Sequence, residues 1–407
     1  MLKSSVTISS FICLVILAGH LKSIAEKETT FLTVAAGERD RRETVVSFSS
    51  PKGSKPGSYL LRDESGKAIP LQIDARGQAT FVLPELKSGA TKKYELVSAP
   101  AGSASGGVRL VREKEKISID IAGRKAFTYQ GEGELPRDDI KPIFKRGGYI
   151  HPVYTPSGRI VSDDYPPNHL HHHGIWFAWT KTRFEEHEPD FWNMGTGSGT
   201  VEFVALDETW SGPVDAGFRS RHRYVDLSGG GAKTALNEVW EVIAYNVGKG
   251  AKPYLMFDLI STQECATQNP LILPKYHYGG MAFRGHRNWD GKDNSIFLTS
   301  EAKDRANGNE TRARWCHING RIDGEPAGLT MFSHPGNFRA PQPVRIHPTE
   351  PYFTFAPSQM GDWQIAPGSQ YTSRYRYLVT DGPPDAVELE RIWSDYAQPP
   401  VVTISAK

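Results

Sequence analysis

The chain has 407 residues, with 48 Lys plus Arg against 46 Asp plus Glu. A chain of this length can bury a large core without disulfides, and its nearly balanced charge gives no electrostatic argument for a nucleic-acid partner or an anionic membrane surface. The cysteines form no Cys-x-x-Cys pattern of the kind that binds metal. The sequence leaves open whether Cys265 and Cys316 form a disulfide, what the oligomeric state is, and whether a cofactor is used.

Residues 1–25 are predicted to be a secretory signal peptide. A lysine at position 3 precedes a mostly apolar run from Val6 to Ala18, and the segment ends in Ser-Ile-Ala, with small residues where a signal peptidase cleaves. The apolar run is too short to span a membrane, and no later run approaches that length. We therefore expect a periplasmic or secreted protein with no transmembrane span after removal of the signal.

Residues 26–100 have the pattern of a small β-sandwich of immunoglobulin-like size. Short alternating runs are separated by Gly and Pro, which is typical of β-strands joined by turns. The predicted strands cover residues 30–34, 44–48, 58–61 and 79–83. Residues 101–107, Ala-Gly-Ser-Ala-Ser-Gly-Gly, then predict a flexible linker between two domains.

Residues 108–407 are predicted to form a large antiparallel β-supersandwich closed by a C-terminal helix. Isoleucines at positions 117, 119 and 121 alternate with polar residues, and similar alternation covers residues 239–245, 254–260 and 371–379. Helical spacing appears clearly only near the end, at Leu389, Ile392, Trp393 and Tyr396. The predicted fold class is therefore mainly β.

Four of the thirteen histidines lie within five residues, and Gly and two aromatic residues follow them closely: His169, His171, His172 and His173. Imidazoles bind metals and transfer protons near neutral pH. On a strand, alternation would place His169, His171 and His173 on one face, where they are candidate metal ligands. A polar loop at a strand edge is the simpler alternative. Four neighbouring histidines favour a functional site, in which metal binding and proton transfer both remain open.

Other candidate site residues lie in loop-like segments marked by Gly and Pro, where binding groups usually sit on a β-sandwich. The histidines among them are His151, His277, His286 and His334. Arg284 offers hydrogen-bond donors to a substrate, and Trp192 offers a ring that could stack on a sugar. Carboxylates near the cluster occupy positions 163, 164, 185, 186, 188 and 190. The sequence does not tell whether any two have the separation that glycoside cleavage requires.

The ordered set of motifs resembles the bacterial PmoA-related family, a domain family of unknown function. The resemblance covers the chain from about Tyr149 to the C-terminal helix and rests on residues 149–153, 168–177, 191–192, 278–284, 328–337, 375–377 and 381–382. The family motif commonly reads Asp-His-Pro-His-His-Arg-Gly. Here Asn168, Leu170 and His173 replace its Asp, Pro and Arg, so His171 and His172 are the safest residues to carry over.

Members of that family are often labelled methane oxygenase PmoA, but an integral membrane subunit needs several apolar spans that this chain lacks. The resemblance implies instead a supersandwich similar to aldose-epimerase (galactose-mutarotase-like) folds. We predict a carbohydrate-active enzyme that acts on a sugar, oligosaccharide or other small molecule by hydrolysis, elimination or epimerisation. Its catalytic residues would be His171, His172 and His286. The alternatives are a non-catalytic glycan-binding protein and, less favoured, a metal-dependent oxygenase with histidine ligands.

Overall fold

The computed structural model describes residue 1, residues 29–100 and residues 107–406. Most of the predicted signal peptide, and residues 101–106 of the predicted linker, lie outside the described residues.

The described residues form 27 β-strands and one α-helix. The strands of the N-terminal part are β1 (Thr30–Ala35), β2 (Arg41–Ser49), β3 (Gly57–Asp63), β4 (Ala68–Ile73), β5 (Gln78–Leu86) and β6 (Thr91–Ser98). The next strands are β7 (Val108–Glu113), β8 (Lys116–Ile121), β9 (Arg124–Gln130), β10 (Tyr149–Val153), β11 (Ile175–Ala178), β12 (Arg183–Phe184), β13 (Gly199–Trp210), β14 (Asp215–Asp226), β15 (Lys233–Tyr245), β16 (Tyr254–Cys265) and β17 (Leu271–Leu273). The remaining elements are β18 (Gly280–Arg284), β19 (Ser295–Thr299), β20 (Thr311–Arg312), β21 (Trp315–Ile322), β22 (Glu325–Ser333), β23 (Pro343–Ile346), β24 (Tyr352–Phe355), β25 (Trp363–Ile365), β26 (Gln370–Thr380), α1 (Ala386–Ala397) and β27 (Val401–Ala406).

The N-terminal strands form a small antiparallel sheet in the order β2-β5-β4-β3-β6-β1-β27. Its own apolar core includes Leu32, Leu71 and Phe81, all fully buried. The last strand of the chain, β27, pairs with β1 along its whole length. The predicted boundary at residue 107 therefore does not separate the chain cleanly, because residues 401–406 belong to the N-terminal sheet. The side chains of β27 are mostly exposed and do not alternate, and its β-branched run Val-Val-Thr-Ile was the signal that the prediction of a C-terminal helix as the last element missed.

The large part is a sandwich of two antiparallel sheets. One has nine strands in the order β20-β23-β24-β18-β11-β10-β9-β8-β7, and the other has eight in the order β13-β14-β15-β16-β26-β22-β21-β19. Their facing side chains share one apolar core, in which the rings of Phe127 and Phe257 lie 4.5 Å apart. The strands β12, β17 and β25 form a separate small sheet. Fold class is thus confirmed as mainly β with a C-terminal helix.

Helix α1 begins where the spacing predicted it. The side chain of Asp385 accepts a hydrogen bond from the backbone N–H of Glu388, which caps the first turn. Leu389 and Ile392 point into an apolar cluster shared with the eight-stranded sheet. None of the helical segments in the described residues has the length and apolar character needed to cross a membrane.

Alternation along β11 gives the nine-stranded sheet two different apolar faces. Ile175 and Phe177 point into the sandwich core. Trp176 and Ala178 point to the opposite face, where they join a second cluster with Tyr149, Trp192, Ala282 and Tyr352. We call this opposite side the outer face of the nine-stranded sheet. It carries the histidine cluster.

Candidate functional site

The four clustered histidines lie in turns just before β11. The backbone N–H of His169 donates to the carbonyl of Pro166 at 2.9 Å, and the N–H of His172 donates to the carbonyl of His169 at 2.9 Å. The strand-like alternation of His169, His171 and His173 is therefore wrong. The turns bring residues three apart together, and the rings of His169 and His172 stack at 4.6 Å with an angle of 12° between their planes.

His172 is buried among the aromatic side chains of the outer face. Its ring is 1% exposed and lies 4.7 Å from the ring of Tyr352 and 5.1 Å from that of Trp176. Burial, followed by the field of His171, lowers the pKa of His172 well below its usual value. Trp192 is 2% exposed and packs 5.0 Å from Trp176. The sequence analysis predicted that the Trp192 ring stacks on a sugar. In the structure neighbouring rings cover it, so it is not an exposed platform.

Asp164 links two buried rings through its two carboxyl oxygens. His173 Nδ1 lies 2.6 Å from Oδ1, and the Tyr149 hydroxyl donates to Oδ2 at 3.0 Å. Burial raises the pKa of Asp164 to about 7. Burial also lowers the pKa of His173 well below its usual value, so the ring is neutral at pH 7. The Asp164 side chain remains 13% exposed, and its carboxyl can therefore exchange a proton close to neutral pH.

Two further histidines stand beside this network. His151 Nδ1 lies 2.9 Å from Ser162 Oγ, and burial lowers the pKa of His151 although Asp164 and Asp163 oppose that shift. His171 has its pKa lowered to about 4, first by burial and then by the nearby imidazoles of His169 and His173. Both His151 and His171 are partly exposed. Around neutral pH they are uncharged bases.

Two other carboxylates of the outer face make structural contacts, although one oxygen of Asp163 has no hydrogen-bond partner among the described residues. Asp163 forms an ion pair of 2.7 Å with Arg287. One oxygen of Asp190 accepts the backbone N–H groups of Trp192 and Asn193 at 2.9 and 2.8 Å, and its other oxygen accepts the Asn193 side-chain amide at 2.8 Å. Asp164 differs from these because its side-chain partners, a tyrosine and a neutral histidine, do not compensate a full negative charge.

Arg284 forms buried ion pairs beneath the outer face. Its side chain is fully buried, and the guanidinium donates to Glu350 at 2.7 Å and to Asp290 at 2.6 Å. A third contact, of 3.4 Å, joins it to the side chain of Asn168 at the start of the histidine loop. The two carboxylates use only the terminal nitrogens of the guanidinium, and the Nε–H has no hydrogen-bond partner among the described residues. Because the side chain is fully buried, direct contact of Arg284 with a substrate remains a prediction.

Three predicted site residues lie at or beyond the edge of the outer face. His286 accepts a hydrogen bond from the backbone of Asn288, and the charges that act on its pKa are Asp163, Arg287 and Asp323 rather than those of the histidine cluster. His334 packs 4.9 Å from Tyr396 of helix α1, away from the cluster. His277 lies in the loop before β18 and contacts Tyr276 and Tyr278.

A three-histidine metal site does not form from the predicted ligands. His173 Nδ1 is turned toward Asp164 at 2.6 Å, away from a position shared with His169 and His171. Within residues 29–100 and 107–406, we find no group of three or more His, Cys, Asp or Glu side chains arranged to hold a metal ion. Cys265 and Cys316 are both free thiols.

Several buried polar atoms beneath the site have no hydrogen-bond partner among the described residues. They include His169 Nδ1, His172 Nδ1, His173 Nε2, Trp176 Nε1, Tyr165 Oη, Asp163 Oδ2 and Arg284 Nε. A buried polar atom left unpaired costs about 1–3 kcal/mol, and such atoms are rare in folded proteins. Their concentration at the histidine loop is typical of a functional site rather than of a core built for stability alone.

Two residues of the site were not among the predicted functional residues. Asp164 was noted only as one of six nearby acids, and Tyr149 only as part of a family motif. The available signal was the pair Asp163-Asp164 on one side of the histidines and an aromatic residue two positions before His151. Only the fold brings the hydroxyl and the carboxyl into contact.

Comparisons with known proteins give one family and several weak structural likenesses, including the two that follow. A family model described as a family of unknown function (DUF6807) matches residues 116–394, which include the outer face. No curated protein matches the chain. A heparan sulfate lyase, HepC, from Pedobacter heparinus is 9% identical with a TM-score of 0.26, over 71% of this chain and 38% of that one. A TPR-domain containing protein from Parabacteroides distasonis is 11% identical with a TM-score of 0.22, over 85% and 57%.

The chain thus spans less than two thirds of the length of either solved protein. At TM-scores this low, neither likeness bears on the fold or the activity of this chain. The relation to PmoA proteins remains a prediction from the histidine motif, because the matching family model carries no such link.

Proposed function

From the premise that the chain belongs to the DUF6807 family of unknown function, we propose that it is a periplasmic or secreted enzyme that transfers a proton on a sugar or oligosaccharide. The observation that carries this proposal is the carboxyl of Asp164, held between Tyr149 and His173 at a partly exposed position beside neutral histidines. The chemistry that fits such a group is elimination or epimerisation.

The order in which the groups of the site release protons supports this chemistry. The pKa of Asp164 is about 7 and the pKa of His171 is about 4, so the usual order of carboxyl and imidazole is reversed. Between these values the carboxyl holds a proton while the imidazole is free to accept one. His171 lies two residues before His173, the imidazole that contacts Asp164, and its pKa responds to His173. We therefore propose that this acid and this base act on the same substrate, which is what proton removal and return require.

Hydrolysis by two carboxylates has less support. That mechanism needs a pair of carboxyl groups about 5–10 Å apart, one acting as acid and the other as base or nucleophile. Asp163 is neutralised by Arg287, and Asp190 accepts backbone and amide hydrogen bonds. These two carboxylates are therefore less suited than Asp164 to act in such a pair.

In the proposed elimination, His171 removes a proton from the carbon next to a substrate carboxylate. The C–H electron pair forms a C=C bond, and the glycosidic oxygen leaves with the proton that Asp164 donates. In the proposed epimerisation, no bond to oxygen breaks, and the same carbon regains a proton on its other face. Tyr149 and His173 act as positioning residues, because they hold the two oxygens of Asp164.

The test is proton exchange with solvent. The full chain is incubated in D2O with uronate-containing oligosaccharides and, separately, with neutral ones, and NMR follows deuterium at carbon and any new C=C bond. We expect exchange with the wild type and its loss in Asp164→Asn and His171→Ala. His334→Asn, outside the site, serves as the control and should retain exchange.

Two results would contradict the proposal. Full exchange in both site variants would remove Asp164 and His171 from the chemistry. Saturable binding of the same oligosaccharides without exchange or product would instead establish a non-catalytic glycan-binding protein. Redox metal bound at one ion per chain, measured by mass spectrometry and lost in His171→Ala, would favour the oxygenase alternative.

A further inference from the structure

Three consecutive aromatic residues form a surface strip beside the outer face. The ring centroids of Tyr276 and His277 lie 4.3 Å apart, those of His277 and Tyr278 4.8 Å, and those of Tyr276 and Tyr278 5.0 Å. All three side chains are partly exposed. We call these three residues the aromatic strip. Rings that pack together yet stay open to solvent can offer apolar surface to a ligand.

The aromatic strip is continuous with the site. The ring of Tyr278 lies 5.2 Å from that of Trp192, which in turn contacts His172 at 6.0 Å. The Tyr278 hydroxyl accepts a hydrogen bond of 2.9 Å from the side chain of Asn193. The charge of Asp190 acts on the pKa of both His171 and Tyr278, so both groups lie near the same carboxylate.

The loop that carries the strip is fixed by hydrogen bonds to a neighbouring loop. The backbone N–H of Lys275 donates to Asp362 at 2.7 Å, and that of Tyr276 donates to the carbonyl of Ser358 at 3.3 Å. The side-chain amide of Gln359 donates to the carbonyl of His277 at 2.8 Å. Because the rings are already ordered, a ligand that contacts them pays less conformational entropy.

We propose that the aromatic strip is a subsite for a second sugar ring, so that the ligand of this protein is an oligosaccharide or polysaccharide rather than a monosaccharide. The inference rests on the proposed function for the placement of the reacting ring near Asp164. Among the described residues, ring contacts connect Tyr276 to His172 through Tyr278 and Trp192, so the Tyr276 ring is separated from the histidine loop by two other rings. Its loss should therefore affect long ligands and spare short ones.

The experiment compares size series of oligogalacturonates and oligoalginates, from one to six units, on the wild type, Tyr276→Ala and Tyr276→Phe. We expect kcat/KM of the wild type to rise with chain length, and Tyr276→Ala to lose roughly 2- to 12-fold on the longer members only. Tyr276→Phe keeps the ring and should behave as wild type. Tyr59→Ala, an aromatic residue of the small sheet, is the control for general destabilisation.

Isothermal titration with the same series separates failure of this inference from failure of the proposed function. Binding that strengthens with chain length and weakens in Tyr276→Ala, without any turnover, would refute the enzymatic role and support the subsite. Turnover or binding that is equal for one and six units would refute the subsite. An unchanged length dependence in Tyr276→Ala would do the same, whether or not the protein is an enzyme.

Discussion

Arg284 and Arg287 lie three residues apart and offer a direct test of what each arginine does. Arg284 has a fully buried side chain with two carboxylate partners at 2.6 and 2.7 Å. Removing one partner of a buried ion pair costs about 3–5 kcal/mol, because the remaining charge stays buried without compensation. Asp290 is 35% exposed and can be hydrated in the variant. We therefore expect Arg284→Ala to cost about 3 kcal/mol, at the low end of that range.

Arg287→Ala is the matched control. The Arg287 side chain is 51% exposed, although its distance of 2.7 Å to Asp163 is as short as those of Arg284. Exposed ion pairs contribute about 0–1 kcal/mol, and because the Asp163 side chain is only 6% exposed we expect the loss of Arg287 to lie at the upper end of that range. Circular dichroism during heating should show a Tm lower by about 5 °C in Arg284→Ala. In Arg287→Ala the Tm should shift much less.

A substrate-binding role for Arg284 would give the opposite pattern. Arg284→Ala would then keep the wild-type Tm and lose affinity for the ligand alone. The double variant Arg284→Met/Glu350→Gln provides a second check. Because it removes the uncompensated charge at Glu350 together with its partner, it should be more stable than Arg284→Ala, and a simple sum of two losses would refute the buried ion pair.

Three further predictions follow from single groups. A plot of kcat/KM against pH should fall as pH rises through about 7, because the reaction requires the protonated carboxyl of Asp164. Asp164→Asn should have no measurable activity at any pH. Gly148→Ala should lower the denaturation midpoint strongly, since φ is 69° and a Cβ atom would lie 2.6 Å from His222 Nε2, whereas Gly158→Ala, with φ of 90° and open space, should cost less. Burial lowers the pKa of His317 to about 3, so the unfolded chain binds a proton below pH 6.5 that the folded chain does not. Stability should therefore fall with decreasing pH below 6.5, and His317→Gln should flatten that decrease in Tm measured from pH 7 to pH 5.

The fold was largely predictable because its signals are local. Period-two alternation predicted β8, β15, β16 and β26, and the spacing after Asp385 predicted helix α1. Alternation failed at β27, whose side chains are mostly exposed. It failed also at the histidine loop, where hydrogen-bonded turns replace a strand.

The site was less predictable because its contacts join distant parts of the chain. Arg284 and Glu350 are 66 residues apart, and no local pattern shows that one neutralises the other. The sequence around Trp192 does not show whether its ring is exposed or buried. In the structure the ring is buried by packing against Trp176. The sequence could therefore locate the histidine loop as the site but could not assign a role to each side chain.

The charge of the outer face follows from the crowding of its imidazoles. The rings of His169 and His171 each lie less than 5 Å from the ring of His172, and burial together with nearby cations lowers the pKa of all three. At neutral pH the cluster is consequently an uncharged set of donors and acceptors, which suits hydroxyl groups better than anions. Arg284 is paired with internal carboxylates. The positive charge of Arg287 lies at the edge of the face, close enough to His151 to add to the effect of burial, which lowers the pKa of its imidazole. Arg287 is itself paired with Asp163 at 2.7 Å. A substrate carboxylate beside the carbon that His171 deprotonates would therefore be bound by neutral hydrogen-bond donors, and the substrate hydroxyls would contact the other imidazoles of the cluster.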